Sequence, residues 1–133
     1  MIDIESQVFT PIAHEVRSQF AGAFVTGEYV KAPSEFPHVS MVESDNYTSA
    51  GHRDTSNAER YSTVMYEINV YSNKATGKKS ECRQIMALID HMMYCRNFTR
   101  LSMTPVPNME DATIYRITAR YRAETDGTNL YRI

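Results

Sequence analysis

The sequence predicts an α+β fold: a mixed or antiparallel sheet of about five strands packed by two helices, in the order α-β-β-β-α-β-β. Three patterns lead to this prediction. The chain opens with an apolar stripe of helical period, its centre carries the alternating segment RYSTVMYEINVYSNK, and a second helical stripe, ECRQIMALIDHMMYC, follows after ATGKKS. A length of 133 residues predicts one domain, residues 1–133.

The first helix is predicted from apolar residues that recur at every fourth position. They are Ile4, Val8, Ile12, Val16 and Phe20. Pro11 lies within this stripe, and proline removes one helical hydrogen bond and crowds the preceding turn. Either the helix bends there or Thr10 caps a new start with Pro11 in its first turn, and we favour one bent helix.

Two strands and a loop are expected next. Residues 23–32 and 35–44 are rich in Val, Phe and Tyr and are separated by Pro33 and Ser34, which predicts two strands with a tight connection. Pro37 belongs at the start or on the edge of its strand. Residues 45–59 are almost wholly polar and have no period, which predicts a long exposed loop that is functional or disordered.

The third strand has two distinct faces because successive side chains alternate. Its core face comprises Val64, Tyr66, Ile68 and Val70. Its second face mixes polar and apolar groups: Thr63, Met65, Glu67, Asn69 and Tyr71. That mixture predicts a face that is covered part of the time. The second helix then buries the stripe Cys82, Ile85, Met86, Ile89, Met92 and Met93.

A closing pair of strands is predicted at residues 98–105 and 112–124, with a reversal that contains Pro105, Pro107 and Asn108. In the last strand Tyr115, Ile117, Ala119 and Tyr121 face one way, and Arg116, Thr118, Arg120 and Arg122 face the other. A short tail, TNLYRI, ends the sequence.

Composition disfavours several functions. The formal net charge of -2 gives no broad attraction to phosphate backbones, so charge-driven DNA binding is disfavoured. No stretch resembles a secretory signal or a membrane span, which predicts synthesis in the cytosol. Cys82 and Cys95 fall on one helix, roughly 20 Å apart at about 1.5 Å per residue, so we expect two reduced thiols, partly buried among methionines.

The polar motifs do not assemble a catalytic site. ATGKKS lies where a phosphate-binding loop would, but Ser72 stands where that motif requires glycine and Lys79 where it requires Ser or Thr. His91 and Cys95 have helical metal-ligand spacing, but nothing brings His52 or Asp54 near them to complete a site. We therefore expect no catalytic residue, no metal and no cofactor.

One basic cluster remains, formed by Arg116, Arg120 and Arg122 on one strand face, with Arg100 as a candidate fourth member. The simpler interpretation is a solvated face paired with Glu and Asp. The alternative is a surface that meets an acidic protein face or DNA that passes without being read.

The order of elements and three phrases carry a resemblance to a known family. These are EYVKAPSEFPHVSMVESDN, YEINVYSNKATGKKSECRQIMALID and DATIYRITARYRAETD. Over nearly its whole length the chain resembles the tail terminator and tail-to-head joining proteins of long-tailed bacteriophages. The resemblance implies a hexameric ring in the virion, at the junction of tail and neck, that halts growth of the tail tube. Its implied partners are other copies of itself, the tail tube protein and the head-tail connector or stopper protein, with DNA passing through the lumen.

Within that interpretation, two groups of residues are expected to make contacts. The subunit interface would use Met65, Glu67, Asn69 and Tyr71. Docking to tube or connector would use the polar loop and the tail, through Asp45, Tyr47, His52, Arg53, Asp54, Leu130, Tyr131 and Arg132. Two alternatives stay open: another neck or tail component, such as a head-completion or tail tube protein, and a small ligand-binding α+β domain.

Overall fold

A computed structural model describes residues 1–30, 32–48, 61–107 and 111–133. These residues form two helices and six strands. In chain order they are α1 (Glu5–Gln19), β1 (Phe24–Thr26), β2 (His38–Thr48), β3 (Ser62–Ser72), α2 (Lys78–Cys95), β4 (Thr99–Pro105), β5 (Tyr115–Thr125) and β6 (Leu130–Tyr131). The α+β class, the two helices and the element order agree with the sequence prediction, and β6 is an added short strand.

The strands form one mixed sheet in the order β1-β2-β3-β5-β4, and β6 extends the sheet beside the end of β5. Only the β1–β2 pairing among these is parallel. The central strand β3 pairs over its full length with β5, from Ser62 opposite Thr125 to Ser72 opposite Tyr115. Long antiparallel pairing fixes the register and hence which side chains share a face.

Both helices pack on the same face of the sheet, where they bury the core. From α1 the buried side chains are Val8, Ile12, Ala13 and Val16, and from α2 they are Cys82, Ile85, Met86, Ile89 and Met93. They cover the predicted core residues of β3, each at most 1% exposed: Val64, Tyr66, Ile68 and Val70. The core faces predicted for α1, α2 and β3 are therefore confirmed.

The first helix is continuous through Pro11, which removes the alternative of a new start at Thr10. Its first turn gains a cap from Asp3, whose Oδ1 accepts the backbone N–H of Glu5 at 3.1 Å. The second helix begins after Gly77, which has φ of +86°, a backbone conformation that favours glycine. Neither described helix is long and apolar enough to cross a membrane.

The predicted hairpin between the first two strands is wrong. Strand β1 covers only Phe24–Thr26 and runs parallel to β2, with Val25 opposite Val39. Two parallel strands cannot be joined by a tight turn. The connection from β1 to β2 therefore has to return the chain to the end of the sheet at which β1 begins. The Val and Tyr content of residues 28–32 had suggested a longer strand. Pro37 does directly precede β2, as expected.

The predicted polar loop also begins later than expected, because β2 extends to Thr48. A β-bulge between Glu43 and Asp45 shifts the register by one residue there. The alternation of side chains resumes after the bulge, so Asp45 and Tyr47 lie opposite Met65 and Thr63 on β3. Polar composition alone had hidden this extension. The rest of the predicted loop lies outside the described residues.

The two cysteines are free, as predicted, but their surroundings differ. Cys82 is fully buried, and burial, followed by the charge of Glu81, raises the pKa of its thiol to about 12. Cys95 is exposed, so the expectation that both thiols would be partly buried is wrong for this one. It lies at the solvent-facing C-terminal turn of α2, beyond the apolar stripe.

Candidate docking face

The sheet face opposite the helices, here called the open face, is the candidate functional surface. No described helix packs on it. The strand registers place these side chains together: Phe24, His38, Ser40, Val42, Asp45, Tyr47, Thr63, Met65, Glu67, Asn69, Tyr71, Arg116, Thr118, Arg120 and Arg122. The predicted interface residues of β3 and the predicted basic residues of β5 therefore share one surface.

One end of the open face carries an aromatic row across four strands. Phe24, His38, Tyr71 and Arg116 are successive cross-strand neighbours. The rings of Phe24 and His38 stack at 5.3 Å, those of His38 and Tyr71 meet edge-on at 5.7 Å, and the Arg116 guanidinium lies 5.4 Å from the Tyr71 ring centre. Phe24 is 44% exposed, so the row ends in an accessible apolar group.

His38 is the unusual member of this row because it is 2% exposed and neither ring nitrogen has a hydrogen-bond partner in the part of the chain that the structure describes. Burial lowers the pKa of its imidazole, and the charge of Glu35 opposes this only in part. The ring is therefore held neutral and packs as an aromatic group. An unsatisfied buried polar ring is a local instability that protonation would increase.

Asn69 organises the centre of the open face. It is fully buried, and its Oδ1 accepts hydrogen bonds from Arg116 Nε at 3.0 Å, Arg116 Nη2 at 2.8 Å and Thr118 Oγ1 at 2.6 Å. These donors fix the orientation of the amide, since only its oxygen can accept from a guanidinium. Its Nδ2 is left without a partner among the described residues.

Charged and sulfur-containing side chains lie beside this centre. Glu67 Oε1 accepts from Arg120 Nη2 across the strands at 3.2 Å, and half of the Arg120 side chain remains exposed. Met65 lies opposite Arg122 and is partly exposed. Of these arginines Arg120 is paired with an acid, as the simpler interpretation expects, whereas Arg116 binds the neutral amide of Asn69.

A second aromatic group lies at the far end of the open face. The ring centres of Tyr61 and Tyr131 are 6.1 Å apart, and Tyr131 pairs with Glu124 in register. Tyr47, on the β2 side, is 46% exposed, and Tyr131 is 41% exposed. The open face thus has an aromatic group at each end and a polar centre, and aromatic residues are enriched where proteins bind one another.

The burial of the predicted interface residues separates them into two pairs. Asn69 and Tyr71 are at most 3% exposed in the chain itself, whereas Met65 and Glu67 are partly exposed. Asn69 is covered by its own bonded neighbours, and Tyr71 by the aromatic row. Only Met65 and Glu67 therefore offer side-chain surface to a partner without rearrangement.

The predicted tail residues lie against the body of the protein. Asn97 Nδ2 donates to the carbonyl of Leu130 at 2.8 Å, and Thr99 Oγ1 donates to that of Ile133 at 2.9 Å. The Arg132 guanidinium lies 4.3 Å from the Tyr94 ring centre and donates to the Tyr94 carbonyl. A partner would therefore contact the tail in this position, hydrogen-bonded to the body of the protein. Of the predicted docking residues, His52, Arg53 and Asp54 fall outside the described residues.

Other predicted chemistry lies on the helix side. Arg100 does not join the basic cluster: it lies opposite Tyr121 and forms an ion pair with Asp90 at 3.3 Å. Tyr121 donates its hydroxyl proton to the same carboxylate at 2.7 Å. Cys95 Sγ lies 3.7 Å from His91 Nε2, and no third metal ligand joins them among the described residues. A shallow groove of about 600 Å³ runs along the outer side of α2 beside Gly77.

Comparison with models of known protein families gives no match. Comparison with curated proteins finds no significant relative either. The function of this chain is therefore argued from its residues and from the resemblance described above.

Two features of the surface were not predicted from the sequence. Phe24 and His38 were not singled out as partners of Tyr71, because the parallel pairing of β1 with β2 carries no local signal. An acidic cluster formed by Asp3, Glu5 and Glu43 was also missed, because its members are distant in sequence. The alternation of β2 around Glu43 was the available signal: it places an acid on the helix-facing side of a strand.

Proposed function

We propose that this chain is a structural protein of the tail-neck junction of a long-tailed bacteriophage. In this role, copies form a ring, expected to be hexameric, that caps the finished tail tube, stops its growth and joins it to the head connector. The observation that carries the proposal is the open sheet face, with exposed Phe24, Tyr47 and Tyr131 around a charged centre. The element order of the family it resembles is consistent with this fold.

Such a surface suits assembly because its accessible groups are aromatic side chains together with Met65 and the Glu67–Arg120 pair. Aromatic residues, Met and Arg are enriched where proteins bind one another. A closed ring requires a heterologous contact, in which one face of a copy meets a different face of the next. The open face supplies one of the two surfaces, and the sheet edge at β4 supplies a candidate for the second.

The sheet edges offer the backbone groups that such contacts can use. Strand β1 pairs only with His38–Ser40 of β2. From Met41 to Thr48, this side of β2 therefore has no described strand beside it. Strand β4 forms the opposite edge, and Leu101 at its bulge is 44% exposed. Unpaired strand edges readily accept another chain. These edges lie on opposite sides of the sheet, as a head-to-tail ring requires.

The test is assembly in the presence and absence of tail tubes. We expect the purified chain to form rings, or to bind as a ring to purified tubes, with a mass by light scattering near six copies. Negative-stain electron microscopy should show caps on tube ends. Long stacks formed by the chain alone would instead indicate a tail tube protein, and a monomer that ignores tubes would contradict the proposal.

Variants on the two sides of the protein sharpen this test. Met65→Asp and Tyr47→Asp place a charge on accessible parts of the open face, and we expect both to abolish ring formation or tube capping. Ala87→Asp adds the same charge on the exposed side of α2 and serves as the matched control. Circular dichroism should show all three folded. Equal loss in the control, or unchanged assembly in both test variants, would exclude this face.

A further inference from the structure

A cluster of three carboxylates joins the start of α1 to strand β2. Asp3, Glu5 and Glu43 each place a carboxylate oxygen within 4.8 Å of the other two. No described Lys or Arg side chain forms an ion pair with any of them. Three ionised carboxylates at this separation would repel one another, and either a bound cation or a proton on one of them relieves that repulsion.

Two of these acids have an ordinary structural reason to be there, and the third does not. Asp3 caps the first turn of α1, and Glu5 lies in that turn, where the helix dipole favours negative charge. Glu43 instead lies on the helix-facing side of β2, at the bulge, and its Oε1 is buried and has no hydrogen-bond partner among the residues described. Burial, then the charges of Glu5 and Asp3, raise the pKa of Glu43 to about 7.

A second buried group points at the same place. Tyr66 lies directly across from Glu43 on β3, is 1% exposed, and its hydroxyl has no hydrogen-bond partner within residues 1–30, 32–48, 61–107 and 111–133. All three carboxylates act on that hydroxyl: after burial itself, Glu43, Glu5 and Asp3 are the groups that raise its pKa. Buried polar atoms in proteins almost always have partners, and here two on the same face of neighbouring strands, the Tyr66 hydroxyl and Glu43 Oε1, are without one among the described residues.

We propose that Asp3, Glu5 and Glu43 bind a divalent metal ion, Ca²⁺ in particular, with the Tyr66 hydroxyl positioned to donate to a ligating carboxylate. Carboxylate oxygens are hard ligands that suit Ca²⁺ and Mg²⁺. Ca²⁺ fits better because it accepts irregular geometry and completes its shell with water. An open pocket of about 250 Å³ is lined by Asp3 and Glu5 but not by Glu43, so water reaches the cluster from the α1 side.

Metal binding at this site would join two segments that are far apart in sequence. It would link the start of α1 to the middle of β2. This part of β2 lies next to the bulge and does not pair with β1. An ion that binds only the folded chain stabilises it in proportion to its concentration over the dissociation constant. The inference concerns the stability of this edge and is independent of the proposed function.

The first test is thermal unfolding of the full chain in chelator-treated buffer at neutral pH, with Ca²⁺ or Mg²⁺ added. We expect saturating Ca²⁺ to raise the Tm by roughly 5 °C or more, and Mg²⁺ to have a smaller effect. Glu43→Gln and Asp3→Asn should lose this shift. Glu15→Gln makes the same charge change three turns along α1 and should retain it.

A second measurement does not depend on how stable the variants are. Tb³⁺ binds oxygen ligands as Ca²⁺ does, and its emission is excited by energy transfer from a nearby tyrosine. The chain contains no Trp, so tyrosine is the only efficient donor. We expect sensitised emission that Ca²⁺ displaces with a stoichiometry of one ion per chain. Tyr66→Phe removes the tyrosine beside the site and should lower the emission while the Ca²⁺ shift in Tm is kept, whereas Glu43→Gln should lose both.

Two results would overturn the proposal. If Ca²⁺, Mg²⁺ and Tb³⁺ leave the wild type unchanged while Glu43→Gln raises the Tm in metal-free buffer, the cluster is relieved by a proton on Glu43 and holds no metal. If the Ca²⁺ shift persists in Glu43→Gln and Asp3→Asn, the ion binds elsewhere.

Discussion

The two faces of the sheet are built from the same strands but are stabilised in different ways. On the helix side, β3 presents aliphatic groups and Tyr66 to α1 and α2, and burial of apolar surface supplies the free energy. On the open face, the same strand presents Asn69 and Glu67, which are held by hydrogen bonds to β5. The helix side therefore depends on close packing of apolar side chains, and the open face depends on hydrogen bonds and ion pairs between polar side chains.

The difference explains where the unsatisfied groups lie. His38 and Asn69 on the open face both keep buried polar atoms that have no partner in the described portion of the chain. Natural structures contain few such atoms, and those that persist often mark a functional surface. A partner that docks on this face could satisfy them. The helix side has its own exception at Glu43 and Tyr66, where we propose a metal ion.

The largest expected effect is a loss of core volume. Ile68→Ala on the helix side should lower the free energy of unfolding by about 3–4 kcal/mol, because Ile68 is fully buried in the central strand. Met65→Ala, on the open face of the same strand, should cost less than about 1 kcal/mol. Urea denaturation at low protein concentration measures both. Equal losses would mean that the open face is packed as a core in solution.

The second prediction concerns the polar centre. Asn69→Leu should cost about 2–3 kcal/mol, because it leaves buried Thr118 and half-buried Arg116 without their shared acceptor. Asn69→Asp keeps the acceptor, adds a charge that Arg116 can balance and removes the unpartnered Nδ2, so it should cost clearly less. The same denaturation experiment applies. If the two variants are equally unstable, shape rather than hydrogen bonding holds this face together.

These two predictions also show what the sequence could establish. The core residues of β3, α1 and α2 were readable because burial on one side imposes a period of 2 or 3.6. The faces of β5 were readable for the same reason. The parallel pairing of β1 with β2 could not be predicted, because no sequence pattern within either strand specifies pairing across the connection of residues 27–37. The continuation of β2 to Thr48 was missed because an edge strand with a bulge can be polar throughout.

The candidate site was partly readable in the same way. Alternation alone identified Met65 and Glu67 on β3 and the arginines on β5, but their union on one surface depends on the β3–β5 register. The sequence pattern of a single strand specifies neither which strand it pairs with nor the register of that pairing. Asn69 and Tyr71 are buried, unlike their partly exposed neighbours on the same face of the strand, because of side-chain contacts with Arg116 and His38. These two residues lie far away in the sequence.

The third prediction uses pH to separate the two faces. The folded-state pKa of His38 lies below its ordinary value of 6.5, so between those two values the unfolded chain binds more protons. Stability therefore falls as pH drops through about 6.5, with a limiting slope of about 1.4 kcal/mol per pH unit. His38→Phe keeps the ring between Phe24 and Tyr71 and should remove this component.

The measurement is the difference in unfolding free energy between wild type and His38→Phe from pH 8 to pH 5 in metal-free buffer. Glu43, whose pKa is raised to about 7, acts with the opposite sign over part of this range, but it is present in both chains and cancels. Glu35 is also common to both. A difference that does not change with pH would contradict a buried neutral imidazole.

The smallest effect on stability distinguishes contacts within the chain from contacts between chains. Glu67→Gln should cost only about 0.2–1 kcal/mol, because water reaches the Glu67–Arg120 ion pair through the half-exposed Arg120 side chain, and added salt should reduce the cost further. The double exchange Glu67→Arg with Arg120→Glu should recover that stability by restoring the pair in reverse. If the open face docks a partner, capping of tail tubes should remain impaired in the double variant, because the pattern of charge that the partner meets is inverted. Recovery of both stability and capping would mean that this pair serves only the fold.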